Sequence, residues 1–298
     1  MMKLKLGINC GFAINRYIEP EAWGGFVGEL GLKSVQFVAD LLNPFLPDDY
    51  INSQITRIKK SAEINDFSVD SIFTSTFTRM NLLTHPEDDG RKIWFDWYKK
   101  MLAIGARLGA KTGGSHFGIL TFDTINDPEK RKRVTEAGIK NWREMTFYAR
   151  ELGYDALIFE PMSIPREFAN TVAETEEILN AVNADCGVPL KVCLDIGHAP
   201  HPDERDPYPW LVALGSKSPV IHLQQTILGK SMHWPFTPEY NEQGYIKAER
   251  VLECLKESGC EEALLHFELS HREHWDTDGR VLEDHRASVD YWRQYVKD

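Results

Sequence analysis

The sequence predicts an α/β chain folded as a (β/α)8 barrel, and three observations predict it. Eight short apolar runs alternate with eight longer helix-like stretches along the chain. Glycines (Gly31, Gly109, Gly153, Gly187 and Gly259) follow five of the helix-like stretches and lead into the next strand, where they relieve a left-handed helix end, so these turns are short. The opposite connections are long: 76–90, 117–125, 161–171, 199–206, 224–245 and 270–281. A barrel carries its chemistry on those strand-to-helix loops.

In chain order, strand 4–10 precedes helix 19–30, strand 34–39 precedes helix 48–65, and strand 68–75 precedes helix 91–108. Strand 112–116 then leads to helix 127–152, strand 156–160 to helix 172–184, and strand 190–196 to helix 208–214. Strand 220–223 with helix 246–258 and strand 263–269 with helix 283–296 complete the series. The runs are too short for buried helices and carry β-branched residues, which favours strands. Parallel strands need a crossover of helical length, and each intervening stretch supplies one. The rival is an open doubly wound sheet, which would bring a nucleotide or phosphate loop. Neither G-x-G-x-x-G nor a P-loop is present.

The 298 residues suffice for one barrel, and we read residues 1–298 as a single domain. Lys and Arg number 34 against 45 Asp and Glu, a net charge of −11 that disfavours nucleic acid as a partner. No apolar stretch approaches the ~18 residues of a membrane span, so no membrane partner is expected. The five cysteines form no C-x-x-C pair and the start lacks a secretory h-region, so a cytoplasmic protein with reduced thiols is expected.

The ends of the last four strands carry the functional signal. Strand five ends Leu-Ile-Phe-Glu160-Pro, six ends Leu-Asp195-Ile-Gly-His198, seven ends Ile-His222-Leu-Gln224-Gln225, and eight ends His266-Phe-Glu268. One acid at a strand end is commonly a cap or turn residue. On four neighbouring staves of a barrel, such residues converge on a small volume. Three carboxylates that close repel one another, and each is expected to have its pKa raised. A divalent cation removes the conflict, and three carboxylates with one imidazole suit Mg²⁺ or Mn²⁺, with Co²⁺ a further candidate.

Phe159-Glu160-Pro161, Leu194-Asp195-Ile196-Gly197-His198, Ile221-His222-Leu223 and His266-Phe267-Glu268 resemble the xylose-isomerase-like TIM-barrel superfamily of sugar and sugar-phosphate isomerases and epimerases. The resemblance implies one divalent ion bound by Glu160, Asp195, His222 and Glu268. It further implies a small sugar substrate and proton transfer through an enediolate, with Glu160 and Glu268 taking and returning the proton. It places His198 on a substrate oxygen. Proteins of this kind often pair, so a homo-oligomer is expected. Within the group, Leu6-Gly7-Ile8-Asn9-Cys10-Gly11-Phe12-Ala13, Val35-Gln36-Phe37 followed by Asp40-Leu41-Leu42, and Glu268-Leu269-Ser270-His271 are similar to D-apiose isomerases. The ketose 3-epimerases of the group carry a Glu six residues after the strand-five Glu and an Arg six after the strand-seven His. Here those positions hold Arg166 and Leu228, with Glu167 one place further on. That departure favours aldose–ketose isomerisation, D-apiose to D-apulose, with 3-epimerisation of a short ketose or ketose phosphate, such as a tetrulose phosphate, as the alternative.

Further polar residues are candidates for substrate contact: His116 at the end of strand four, one of Gln224 and Gln225, and Lys230 and His233 in the long seventh loop. His266, two residues before Glu268, reads as an interior histidine on the same face. His271, Arg272 and His274 are candidates for the pocket edge, and Trp23, Phe45, Phe77 and Trp234 for apolar walls against sugar C–H faces.

Overall fold

The computed structural model describes residues 2–162, 164–198 and 203–297. The start of the sixth strand-to-helix loop, 199–202, lies outside the described residues. Eight strands, β1 (Lys3–Asn9), β2 (Ser34–Val38), β3 (Ser68–Phe73), β4 (Thr112–His116), β5 (Ala156–Glu160), β6 (Leu190–Asp195), β7 (Val220–Leu223) and β8 (Glu262–Phe267), close in sequence order into a parallel barrel. The closing seam pairs β1 with β8, Gly7 opposite His266.

The main helices lie where periodicity places them: α1 (Pro20–Glu29), α2 (Asp48–Asn65), α3 (Asp88–Leu108), α5 (Pro128–Glu151), α6 (Val172–Asn183), α7 (Pro207–Leu214), α9 (Ala248–Glu257) and α10 (Val281–Trp292). Two short helices within the long strand-to-helix loops, α4 (Phe122–Ile125) and α8 (Pro238–Gln243), add to the barrel mouth. Helix starts are fixed by side-chain caps. The Asp127 carboxylate accepts from the N–H groups of Glu129 and Lys130, and Thr171 Oγ1 accepts from Glu174 N–H. Gly31, Gly109, Gly153 and Gly259 have positive φ, as expected. Gly187 does not. It is needed for closeness, since a Cβ there would lie 2.4 Å from the Phe147 Cα.

The main core lies between sheet and helices, with Trp23, Trp142, Trp210 and Trp292 fully buried. Trp142 stacks on Phe117 and donates from Nε1 to the Phe117 carbonyl at 3.0 Å. Trp23 packs against Phe37 and Phe67, so it is a core residue and not a pocket wall. Phe73, Ile158, Cys193 and Val220 form a smaller apolar cluster. Polar side chains, among them Ser34, Gln36, Ser71, His222 and His266, are buried close to zero exposure.

Three buried histidines are expected to make the fold acid-sensitive. His285 packs beside Phe12 and Phe26, and burial pushes it down to about 3, against a hydrogen bond to the Val281 carbonyl that favours charge. Burial, with Arg79 adding to it, also holds His116 at about 3, and burial holds His266 well below the ordinary range. These rings stay neutral in the fold but protonate below 6.5 once unfolded, so the unfolded chain binds more protons and stability falls with pH between 6.5 and about 3. Each ring contributes at most about 1.4 kcal/mol per pH unit. His198 and His222 have the opposite sign, but their window lies above 6.5. Thermal midpoints at pH 6.5 and 5 are expected to differ less for His285→Phe than for the parent. An unchanged difference contradicts the account.

Candidate metal and catalytic site

Adjacent staves put the four strand-end residues side by side. Asp195 on β6 stands in register with His222 on β7, and Glu268 follows β8 with its N–H donating to the Leu223 carbonyl at 3.0 Å. Ligand atoms of Glu160, Asp195, His222 and Glu268 all lie within 4.8 Å of one another. His222 Nδ1 is 3.0 Å from Glu160 Oε1 and 3.2 Å from Glu268 Oε2. Glu160, Asp195 and His222 are buried, and Glu268 is partly open. A compact set of three hard oxygen donors and one imidazole fits one divalent cation. A second group, Asp195, His198 and His233, meets the same spacing and shares Asp195.

The expected rise in carboxylate pKa does not hold for Glu268. Burial raises it, but His222, with His233 and His198 behind it, outweighs burial and holds the carboxyl well below its usual range. Conversely, burial opposes a proton on His222, while Cys193, Glu268 and the bonded Glu160 lift it well above the ordinary value. Burial also raises the Cys193 thiol, to about 11, so it stays protonated beneath the site.

His198 stands over this group, its Nδ1 3.5 Å from Glu160 Oε1 and its Nε2 3.8 Å from Asp195 Oδ2. Burial works against its charge, but Asp195, Glu160 and Glu268 together raise its pKa. Gln224 points inward and Gln225 outward, as alternation requires. Gln224 Nε2 donates to both Asp195 oxygens, at 2.8 and 3.0 Å, so it clamps a candidate ligand where substrate contact was expected. Gln225 instead joins Asn241 and Ile246. His233 reaches the site with φ at +49°, its Nδ1 donating to the Glu268 carbonyl and its N–H to Gln224 Oε1. Lys230 lies on the exposed tip of the same loop.

His116 donates from Nε2 to the Met80 carbonyl at 2.6 Å, which leaves a buried, unpartnered Nδ1 lone pair. Glu167 is buried and pairs with Arg79 of the third loop. Burial raises its carboxyl pKa, Arg79 opposes that, and Glu160 adds to it. Arg79 Nε, Glu167 Oε2, His116 Nδ1 and His198 Nδ1 are all buried without hydrogen-bond partners. Buried polar atoms are rarely left unpaired, so a group of them beside the carboxylates marks a place for a polar ligand. Arg166 turns away to the Leu120 carbonyl and the Phe122 ring, and Leu228 lies half exposed.

The remaining candidates separate by environment. His266 bonds Ser34 Oγ at 2.9 Å and is an interior residue, as expected. His271 bonds Asp284 of α10 and faces away from the mouth. Arg272 and His274 are exposed and flank Trp275. Phe45 packs on Trp94 and Trp97, Phe77 is 64% exposed, and Trp234 packs on Tyr240. The sequence reading missed Arg79, Asn9 and Gln36. Their signal was faint, since Asn9 and Gln36 sit inside ordinary apolar strand runs.

Comparison with known proteins agrees with the architecture. The pattern of the xylose isomerase-like TIM-barrel family matches residues 26–295. A D-erythrulose 1-phosphate 3-epimerase of Brucella abortus (strain 2308) is 31% identical over 301 residues, covering 99% of this chain and 97% of that one. A Rhodospirillum rubrum crystal structure, provisionally named a xylose isomerase, superposes with a TM-score of 0.89 at 23% identity, covering 99% and 100% of the two chains. D-psicose 3-epimerase of Clostridium cellulolyticum H10 shares the fold with a TM-score of 0.74 at 18% identity, covering 99% and 100%. Among the described residues, no helix is long and apolar enough to cross a membrane.

Proposed function

The chain belongs to the xylose isomerase-like TIM-barrel family of sugar isomerases and epimerases, and on that footing we propose that it is a divalent-metal-dependent 3-epimerase of a short ketose or ketose 1-phosphate. The observation that carries this reading is the similarity to the Brucella abortus 3-epimerase along nearly the whole of both chains. The position of Glu167 supports it. The departure at Arg166 and Leu228 favoured D-apiose isomerisation, but the buried Glu167 stands beside Glu160 and His198, where a one-residue loop shift would put the epimerase carboxylate.

Glu160, Asp195, His222 and Glu268 would hold the ion, which when bound would supply a positive charge to polarise the ketose carbonyl and favour loss of the neighbouring C–H proton. Glu160 and Glu268 approach from β5 and from the end of β8. In this reading one takes the C3 proton and the other returns a proton to the opposite face. His198 faces the carbonyl region, and His116 Nδ1 and Glu167 Oε2 accept hydroxyl protons from the sugar. Gln224 acts by holding Asp195. Lys230 and His233 line the loop that covers the outer end of the ligand, and Lys230 is the cation there available to a phosphate.

The test is incubation with C4 to C6 ketoses, free and 1-phosphorylated, in deuterated water, followed by NMR. The reading expects deuterium at C3 together with the C3 epimer. An aldose product, D-apiose from D-apulose included, would establish the isomerase instead.

A further inference from the structure

We propose that the backbone of the first strand end decides which ring nitrogen of His222 is offered to the metal, through a relay in which each hydrogen bond forces the direction of the next. This rests on the metal reading above. The relay begins at Gly11 N–H, which can only donate and does so to Asn9 Oδ1 at 2.7 Å. The amide of Asn9 is thereby fixed, with Nδ2 on its other side. Asn9 Nδ2 donates to Gln36 Oε1 at 2.7 Å, and Gln36 Nε2 donates to Ser71 Oγ at 3.3 Å. Gln36 Oε1 in turn lies 2.6 Å from His222 Nε2. A carbonyl oxygen accepts only, so Nε2 carries the proton, with Cys193 Sγ a weaker neighbour at 3.3 Å. The nitrogen left to bind metal is Nδ1, the one facing Glu160 and Glu268.

Asn9, Gln36, Ser71 and His222 are all at most 1% exposed, so water does not scramble these directions. Turning the Gln36 amide would set its NH₂ against the Asn9 NH₂ and reverse the tautomer of His222, placing a proton where the ion must sit. Asn9 and Gln36 thus act as positioning residues, through His222. Outer partners that orient a metal-bound histidine are worth about 10–100-fold in metal affinity.

The experiment titrates metal-free full-length protein with Mn²⁺, without substrate, reading free Mn²⁺ by electron paramagnetic resonance. Gln36→Met, which removes the acceptor at similar volume, is expected to bind about 10–100-fold more weakly. Asn9→Ala is expected to lose about tenfold, because Gln36 becomes free to turn. Gln36→Glu has no donor end to turn, so adding Asn9→Ala to it is expected to change affinity by less than about twofold. Thermal midpoints of the same proteins report packing losses, which occur in both backgrounds. If Asn9→Ala costs the same factor in the parent and in the Gln36→Glu variant, or if Gln36→Met binds like the parent, the relay is overturned while the metal site stands. A parent that binds no Mn²⁺ overturns the metal reading and the relay together.

Discussion

Glu160→Gln and Glu268→Gln are each expected to lower kcat by at least about 10²–10⁴-fold, the range associated with a positioned general acid or base. The amide keeps the shape of the carboxylate but cannot take up a proton. Neither glutamate holds the fold together: Glu160 meets His222 and His198, and Glu268 meets His222 and His233 through its carboxylate, all within the site. Thermal midpoints are therefore expected to change little, while epimerisation and C3 deuterium uptake both collapse. The loss should exceed any weakening of Mn²⁺ binding, measured separately and overcome by excess metal. Full turnover in either variant contradicts a two-carboxylate proton transfer.

Removal of divalent metal is expected to abolish turnover, and Mn²⁺ or Mg²⁺ to restore it. The physical reason is charge. Three carboxylates share the centre, and His222 beside them has its pKa raised. An imidazole binds metal through an unprotonated nitrogen, so whatever fraction of His222 is charged must lose a proton as the ion enters. Affinity is thus expected to fall as pH falls, by up to about tenfold per unit. Bound metal stabilises the native state by about 2.7 kcal/mol at a free concentration of 100 Kd, which a thermal shift detects without substrate. Activity that survives exhaustive chelation would separate this chain from metal-assisted chemistry.

Much of the barrel was legible because the signals were local and repeated. Apolar runs of strand length, helical crossovers and positive-φ glycines such as Gly109 recur along the chain, and each unit is read independently of the rest. The four strand-end residues were legible for the same reason, since a barrel places corresponding strand ends together. The parts that were not legible depended on direction and burial. The bond from Gln224 to Asp195 was not foreseen, because only the fold brings the amide at the end of β7 within 3.0 Å of both carboxylate oxygens. Arg166 turns to the Leu120 carbonyl while the next residue, Glu167, is buried and pairs with Arg79, a difference of direction that spacing does not carry. Asn9 and Gln36 are visible in the sequence only as part of the resemblance, because a buried amide inside a strand has no signature of its role until its partners across the barrel are known. The sign of the Glu268 shift also depended on how close His222 lies, a distance that spacing along the chain does not carry.

The central claim is that Glu160, Asp195, His222 and Glu268 gather around one ion. Anomalous diffraction from crystals soaked in Mn²⁺ tests it most directly. The account predicts one strong peak within about 2.0–2.3 Å of a donor atom from each of the four, with His222 bound through Nδ1. A peak held instead by Asp195, His198 and His233, with Glu160 and Glu268 out of contact, would contradict it.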